Sequence, residues 1–432
     1  MTDNHFSVVV IGGGPAGSSA ATTLAKAGID VLVVEQELFP RFHIGESLLP
    51  NCNNFLKKLG VWEKVEKSNF VIKRGGQFMS PNKSHLVVNI FSHGLVKGMD
   101  MTYQVERAKF DELLLNHAQD SGSVVWQEHK VNHAQRTRTG WLIEVTDKHQ
   151  KKIQVNTQWI VDASGRKCVM GRQLKFKRES LPIPGRLAIF NHFKQVHRNR
   201  CERGGDTLVI RLQHAWVWFI PLSNGITSVG VVLQSGDEQL KNKSLKDIFW
   251  QKINESSVAI ELMKDAESRE EYKADSDYSY AYESYGVDRV LLAGDAGSFI
   301  DPVFSSGICL ALESGILAAD LIQNALKNPQ IEQQLYSRYT AKLKQNMKKM
   351  RQLIEMFYDM RGADILLTPR PILKIPQAVN AVLAGVLNPG WNVRWRLWVF
   401  DKIYLRHKKS PLVPVINWEE ASNATKTNEM AN

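Results

Sequence analysis

A glycine-rich segment near the start of the chain has the residue types that bind a nucleotide. Its glycines fit the spacing G-x-G-x-x-G as Gly12, Gly14 and Gly17, and Glu35 follows about 20 residues after the motif opens. Glycines permit a tight turn and let backbone N–H groups approach a pyrophosphate, while a carboxylate at this spacing can bind a ribose hydroxyl. The pattern therefore predicts a dinucleotide site.

The elements around this motif are those of a parallel α/β sheet. Residues 6–11 form a β-branched run typical of a buried strand, residues 18–27 a small-residue helix that ends at Gly28, and residues 31–34 a second strand. This is a strand-turn-helix-strand unit. Because the whole unit is present, a turn that needs glycine only for its backbone angles is the weaker interpretation.

The hydrophobic period changes twice further along the chain. Alternating residues over 71–105 and 187–233 predict a mostly antiparallel sheet, while short apolar strands at 159–161 and 289–293 return to the nucleotide-binding fold. Residues 333–360 carry an apolar stripe at helical spacing, for which core packing is the default explanation.

These patterns predict an α/β protein with a discontinuous nucleotide domain, an inserted β-sheet substrate domain and a C-terminal helical region. The expected ranges are 1–70, 100–180 and 280–330 for the Rossmann-like domain, 71–99 and 181–279 for the sheet domain, 331–421 for the basic helical region, and 422–432 for a disordered tail.

Several further segments resemble the flavin-dependent halogenases, within the wider FAD monooxygenase superfamily, over roughly residues 6–315. They are FPRFHIGESLLP at 39–50, VERAKFD at 105–111, DASGR at 162–166, GDAG at 294–297 and DPVFSSG at 301–307. The resemblance implies a Rossmann-like FAD-binding domain.

The resemblance also implies which residues bind FAD. In particular, Asp295 would hold the ribityl chain and Arg107 would approach the cofactor. The full set is Gly12, Gly14, Pro15, Ala16, Gly17, Glu35, Arg41, Glu46, Ser47, Arg107, Asp162, Gly294, Asp295, Gly307 and Ile308.

Two signals resemble those that separate halogenases from ordinary hydroxylases. The segment HAWVWFIP matches the family pattern WxWxIP through Trp216 and Trp218, which implies that substrate is kept away from the flavin. Lys73 falls where the family has its essential lysine, although a single lysine is more often a solvated surface charge. By the same resemblance, Ser306 and Gly307 would bind halide near the isoalloxazine.

In the family's chemistry, dioxygen adds to reduced FAD to give a flavin hydroperoxide, halide attacks its distal oxygen, and hypohalous acid forms. Lys73 would then pass electrophilic halogen to an electron-rich aromatic ring. The alternative is hydroxylation of an aromatic ring, including a peptidyl tryptophan during biogenesis of a tryptophylquinone cofactor. A flavin reductase of the geranylgeranyl-reductase type fits the FAD motifs but leaves Trp216, Trp218 and Lys73 without a role.

The resemblance implies chloride or bromide as the halide. The sequence has no second glycine-rich nucleotide fingerprint, so we expect a separate NAD(P)H-dependent flavin reductase to supply electrons.

The charge of the chain is concentrated near its C-terminus. The whole sequence has 55 Lys and Arg against 44 Asp and Glu, a net +11, and residues 331–410 alone carry fifteen basic and five acidic residues. A solvated helix face is the simplest interpretation, and an acidic carrier or precursor protein that bears the substrate is the functional one. The flavin motifs argue against nucleic acid as the partner. Trp391, Trp395 and Trp398 share one face of a helix, where packing or docking is possible.

Composition sets the remaining expectations. Hydrophobic residues make up 43% and charged residues 23% of the 432 residues, as in ordinary globular proteins. Four scattered cysteines without a CxxC pair predict no metal site and no disulfide framework. We expect neither a signal peptide nor a membrane span, and the cytoplasm as the compartment.

Overall fold

The computed structural model describes residues 4–179, 185–197, 203–234, 242–276 and 279–423. Most of the tail that the sequence predicts to be disordered, residues 424–432, lies outside the described residues.

Strands and helices alternate along the described chain, and each type is numbered in chain order. The strands are β1 (His5–Ile11), β2 (Val31–Val34), β3 (Val71–Lys73), β4 (Gly75–Met79), β5 (Leu86–Ile90), β6 (Thr102–Gln104), β7 (Val124–Trp126), β8 (His129–Arg136), β9 (Trp141–Asp147), β10 (Lys152–Asp162), β11 (Arg186–Lys194), β12 (Thr207–Arg211), β13 (Ala215–Pro221), β14 (Thr227–Gln234), β15 (Glu267–Ser268), β16 (Lys273–Ser276), β17 (Tyr280–Ala281), β18 (Gly286–Val287), β19 (Val290–Leu292) and β20 (Ser298–Phe299). The helices are α1 (Pro15–Lys26), α2 (Pro50–Leu59), α3 (Trp62–Glu66), α4 (Arg107–Asp120), α5 (Val169–Gln173), α6 (Leu245–Ile253), α7 (Ser257–Met263), α8 (Gly307–Lys327), α9 (Glu332–Tyr358), α10 (Met360–Leu367), α11 (Ile375–Leu383), α12 (Trp391–Lys409) and α13 (Trp418–Asn423).

The first sheet is the nucleotide-binding one. Its order is β18-β19-β10-β1-β2-β7, and β8 and β9 extend it from β10 as antiparallel strands. The pairs of β1 with β2, β1 with β10 and β10 with β19 are parallel. The register places Ile11 beside Val34 and Asp162, so the carboxyl ends of the central strands meet at one edge, where ligands bind in such sheets.

The second sheet has the order β15-β11-β14-β13-β12-β4-β5 and is antiparallel except between β12 and β4. A turn at residues 223–225 joins β13 to β14. The alternating pattern did not reveal α6 and α7, which pack on one face of this sheet through Phe249, Ile253 and Met263. The other face of β13 contacts the C-terminal helices, so all seven residues of β13 are buried.

The long helix α9 connects two cores. Tyr336, Tyr339 and Leu343 in its first half pack in the core that contains α1 and β10. Met350 and Phe357 in its second half pack with the second sheet and with α10, α11 and α12. The predicted apolar stripe is therefore buried, as core packing requires.

Two helices of the nucleotide domain, α1 and α8, pack closely. A Cβ added to Gly315 would lie 2.2 Å from both the carbonyl oxygen of Ala16 and Ser19 Oγ, so only glycine fits there. Among the described residues, α8 is also the one helix long and apolar enough to cross a membrane by length and composition, and 67% of its most apolar window is buried. A core helix passes the same test.

Candidate active site

A cavity of about 580 Å³ opens at the carboxyl ends of β1, β2 and β10 and extends between the two sheets. We call it the nucleotide cavity. Twelve of the residues that the sequence predicts to bind FAD are among its lining residues. They are Gly12, Gly14, Pro15, Ala16, Glu35, Arg41, Glu46, Ser47, Arg107, Asp295, Gly307 and Ile308. Trp216 and Trp218 line it as well.

The glycine turn forms a cradle without side chains. Gly12 has φ +101°, and a Cβ there would lie 2.4 Å from the carbonyl oxygen of Ala163. A Cβ on Gly17 would lie 1.9 Å from the carbonyl oxygen of Gly12. No side chain among the described residues caps the N-terminus of α1, and its first residues, Pro15 and Ala16, line the cavity, so this end of the helix offers a site for an anion.

Glu35 fixes the same turn. Its Oε2 accepts a hydrogen bond of 2.6 Å from the backbone N–H of Gly13, and its Oε1 accepts one of 2.9 Å from Glu37. The carboxylate therefore stands at the end of β2, in the position from which a ribose could be bound.

Two arginines of the cavity depend on one carboxylate that the sequence motifs did not single out. Asp111 accepts from Arg41 Nη1 at 2.9 Å and from Nε and Nη2 of Arg107, both at 2.8 Å. Burial would raise the pKa of Asp111, but the charges of Arg107 and Arg41 outweigh it and hold the pKa below its ordinary value. Arg107 Nη1 also donates to the carbonyl oxygen of Ile44 at 2.7 Å, which ties α4 to the segment before Glu46.

Asp295 is the second carboxylate of the cavity wall. Burial raises its pKa to about 6, against the opposing charges of Arg107 and Arg166. Tyr280 donates a hydrogen bond of 2.5 Å to its backbone carbonyl. With a pKa of about 6, the side chain of Asp295 is ionised at neutral pH and able to accept hydrogen bonds from a hydroxylated chain.

Three predicted cofactor residues, Asp162, Gly294 and Gly17, are not among the lining residues. Asp162 is fully buried, and its oxygens accept from the Ser164 hydroxyl at 2.5 Å and from the Met170 N–H at 2.7 Å. It therefore fixes the loop that lines the cavity. Gly294 has φ +57° and donates its N–H to Ser314 Oγ at 2.8 Å, so it joins β19 to α8. Gly17 is also outside the lining and serves the close approach described above.

Lys73 is buried next to the cavity, with Ser47 between them. Its Nζ donates to Ser47 Oγ at 2.8 Å and to the carbonyl oxygen of Leu48 at 2.9 Å, and it lies 5.5 Å from the ring centroid of Phe91. Burial lowers its pKa to about 8, although the charge of Asp206 opposes the shift. Lys73 itself is not one of the described residues that line the nucleotide cavity.

The two tryptophans of β13 are held by hydrogen bonds of their indoles. Trp216 Nε1 donates to the Tyr358 hydroxyl at 2.7 Å, and that hydroxyl donates to Asp301 Oδ2 at 2.6 Å. Trp218 Nε1 donates to Ser228 Oγ at 3.2 Å. The hydrogen bonds from Trp216 through Tyr358 to Asp301 connect β13, the end of α9 and the loop before α8. No motif spacing indicated this connection.

The loop from Asp301 to Gly307 closes one side of the cavity. Asp301 Oδ1 accepts from the N–H of Val303 at 3.0 Å, and Ser305 and Gly307 line the cavity. Ser306 is 1% exposed, and its hydroxyl has no hydrogen-bond partner among the described residues. A buried hydroxyl in this state is a place for a bound ion or water.

These features fit FAD. The cradle and the N-terminus of α1 suit a pyrophosphate, Glu35 a ribose, Arg41 and Arg107 the anionic groups, and Asp295 a polyhydroxylated chain.

Comparisons with known proteins agree with this geometry. The family described as FAD binding domain matches residues 5–353. A 1H-pyrrole-2-carbonyl-[peptidyl-carrier protein] chlorinase of Pseudomonas fluorescens is 32% identical over 380 residues, which cover 83% of this chain and 84% of the relative.

Solved structures give the same result. A flavoprotein/dehydrogenase of Cytophaga hutchinsonii is 27% identical with a TM-score of 0.81, over 99% of this chain and all of the other. A flavin-dependent brominase is 26% identical with a TM-score of 0.81, over 93% of this chain and all of the other. The chain carries an FAD-binding domain and belongs to the flavin-dependent halogenase family.

Proposed function

We propose that the protein is a halogenase that replaces a ring hydrogen of an electron-rich aromatic substrate by chlorine or bromine through hypohalous acid. When bound and reduced, FAD supplies the activation of dioxygen, in the overall conversion of reduced FAD, dioxygen, halide and a proton to oxidised FAD, hypohalous acid and water.

The observation that carries this proposal is the environment of Ser306. Its hydroxyl is buried and has no hydrogen-bond partner among the described residues. The next residue, Gly307, begins α8 and lines the nucleotide cavity. Trp216 and Trp218 line the same cavity and reduce the room for a ring next to the cofactor. Ser306 itself is not a lining residue, so we infer that its hydroxyl would hold a halide ion just behind the cavity wall, next to the start of α8.

Lys73 is the residue that we propose to carry halogen to the substrate. With a pKa of about 8, a part of its amine is neutral at neutral pH and able to act as a nucleophile. In this role the neutral amine would leave its hydrogen bond to Ser47 and react with hypohalous acid, forming a nitrogen–halogen bond and releasing water. The aromatic ring would then take the halogen, and its ring proton would return to the amine.

The test supplies the FAD-loaded protein with reductant, dioxygen and a panel of phenols, indoles and pyrroles, with and without chloride or bromide, and measures product masses. We expect products in which halogen replaces hydrogen, formed only with halide. Oxygen insertion that is independent of halide would identify a hydroxylase, acting on a free ring or on a peptidyl tryptophan, and would overturn the proposal.

We also propose a separate NAD(P)H-dependent flavin reductase as electron donor and, because NAD(P)H is supplied inside the cell, the cytoplasm as compartment. One glycine-rich nucleotide fingerprint in the sequence supports this division of labour. The purified protein should then leave FAD oxidised when it is mixed with NADPH alone.

Finally, we propose that α12 docks an acidic protein that bears the substrate. Trp391 and Trp398 are 72% and 60% exposed, so packing against the part of the chain that the structure describes does not account for them. The helix has six Lys and Arg against one acid, Asp401. Among the described residues, Arg394 and Arg406 make no ion pair, and neither do Lys402 and Lys409.

A further inference from the structure

A second cavity of about 400 Å³ lies between the second sheet and the C-terminal helices, and we call it the C-terminal cavity. Its walls come from β4 and β5, the second half of α9, and the helices α10, α11 and α12, together with residues 412 and 413. Packing voids in folded proteins are few and small, whereas ligand pockets measure about 300–1,000 Å³. The size therefore points to a ligand.

The lining of this cavity is almost entirely apolar. Its described polar members are Asn89, Thr368 and Arg370, and it has no carboxylate. The Thr368 hydroxyl already donates to the carbonyl oxygen of Asp364. Arg370 is exposed, next to the exposed Ile372, so the one charge lies at the mouth. An ammonium group inside would have no charged partner, and burying one in this way is costly.

Three phenylalanines close the inner end. The ring centroids of Phe78 and Phe304 are 5.7 Å apart, those of Phe304 and Phe357 5.8 Å, and those of Phe78 and Phe357 6.5 Å. Such aromatic walls favour a flat ring that can stack edge-to-face.

The wall between the two cavities is one loop thick. Phe304 lines the C-terminal cavity, while its neighbours Val303 and Ser305 line the nucleotide cavity. A ring in the C-terminal cavity is thus separated from the cofactor and yet lies against the loop that contains Ser306.

We propose that the C-terminal cavity binds the aromatic substrate as an uncharged ring, with any anionic or tethered end at Arg370, and that it rejects zwitterionic amino acids. This inference rests on the proposed function and names the substrate class of that site.

The test measures binding of 2-naphthol and of L-tryptophan to the FAD-loaded protein by calorimetry. We expect 2-naphthol to bind at least about tenfold more tightly, a difference of about 1.4 kcal/mol. Val413→Phe fills the cavity and should weaken 2-naphthol binding by about tenfold or more. Val415→Phe is the matched control, because Val415 lies two residues further on, is 51% exposed and does not line the cavity.

A second measurement uses the unmodified protein, so it does not depend on how a variant folds. Hydrogen exchange should slow in α11 and at residues 412 and 413 when 2-naphthol is bound. Equal effects of the two variants, equal binding of L-tryptophan, or protection confined to the nucleotide cavity would each overturn the inference. Binding as expected without halogenated product would leave the inference standing and contradict the proposed function instead.

Discussion

At the scale of the residue, Lys73 combines two properties that oppose each other. Its burial places an ammonium among Ser47, Leu48 and Phe91, which makes the charged form costly. The same burial lowers the pKa to about 8 and so provides the neutral amine that the proposed chemistry uses. The burial of Lys73 therefore lowers the stability of the folded protein and at the same time provides the reactive amine.

Replacing Lys73 by Met separates these effects. Between about pH 8 and 10.5 the unfolded chain binds a proton that the folded protein does not, so the stability of the parent rises with pH there, by about 3 kcal/mol in total. In Lys73→Met this rise should disappear from urea unfolding curves, and halogenation should fall by about a hundredfold or more. Lys67→Met, at an exposed position, should change neither; a retained pH slope in Lys73→Met would contradict the assignment.

At the scale of the element, the loop before α8 is fixed from α9. The Tyr358 hydroxyl joins the Trp216 indole to Asp301, and the guanidinium of Arg186 lies 3.9 Å from the Tyr358 ring centroid. Arg211 holds the end of α9 by donating to the carbonyl oxygens of Phe357 and Tyr358. The position of the loop from Asp301 to Gly307 thus depends on the C-terminal helical region.

Tyr358→Phe should therefore weaken halide use. We expect the KM for halide to rise about five- to tenfold, the value of one lost buried hydrogen bond, with unchanged affinity for FAD. Burial raises the pKa of Asp301 and the Tyr358 hydrogen bond lowers it, so the acid limb of the pH–rate profile should move to higher pH. Tyr272→Phe removes a similar indole–phenol bond, to Trp250, outside the cavity and is the control. A profile that matches this control would show that the hydroxyl positions nothing.

A second element-scale prediction concerns α1 and α8. Alanine favours a helix over glycine by about 1 kcal/mol, but at Gly315 the added Cβ would meet the carbonyl oxygen of Ala16 at 2.2 Å. We expect Gly315→Ala to lower the melting temperature by about 5 °C or more and to weaken FAD binding, since α1 carries the cradle. Gly390→Ala, where a Cβ meets nothing within 4 Å, should melt like the parent. A higher melting temperature for Gly315→Ala would contradict this prediction, because it would mean that α1 and α8 can move apart without loss of stability.

Local patterns predicted the elements that carry their own signal. The four strands predicted for the nucleotide fold, found as β1, β2, β10 and β19, and the helix α9 lie where periodicity placed them, because each buries a continuous apolar run or stripe. The cradle was predictable because only glycine satisfies its geometry. Asp111 and Tyr358 were not, since both have partners far away in sequence: Arg41 lies 70 residues from Asp111, and Trp216 lies 142 residues from Tyr358. The partners of Asp162 lie within nine residues of it, but no motif indicated that its carboxylate binds them behind the cavity wall. The short helices α6 and α7 lacked a long enough stripe.

At the scale of the whole molecule, charge and chemistry are separated. The nucleotide cavity lies between the sheets, and the excess of positive charge lies on the C-terminal helices that also enclose the C-terminal cavity. A protein-borne substrate would meet the basic helix α12 first and the cavity second. Long-range attraction of this kind mainly accelerates association and is screened by salt.

Neutralising Arg394, Lys402, Arg406 and Lys409 by Gln tests this separation. Binding to an acidic carrier protein, measured by calorimetry, should weaken about tenfold or more in 50 mM salt and much less in 300 mM salt. FAD affinity should not change. Gln at the exposed cations Lys83, Arg138, Lys151 and Lys246 is the matched control. Equal losses in both variants would mean that net charge alone, and no surface on α12, attracts the carrier.

The strand order of the nucleotide sheet also dictates when the cofactor can be captured during synthesis. β1 needs β10, β10 needs β19, and α1 needs Gly315 of α8 to cover its buried face. While these later segments are still being synthesised, the nascent chain has the glycine turn but not the strands and helix that surround it. Pairings so distant in sequence form slowly. FAD is therefore expected to enter late, as the ligand that completes folding of its domain, and cells short of flavin should accumulate the chain as a substrate for chaperones and proteases.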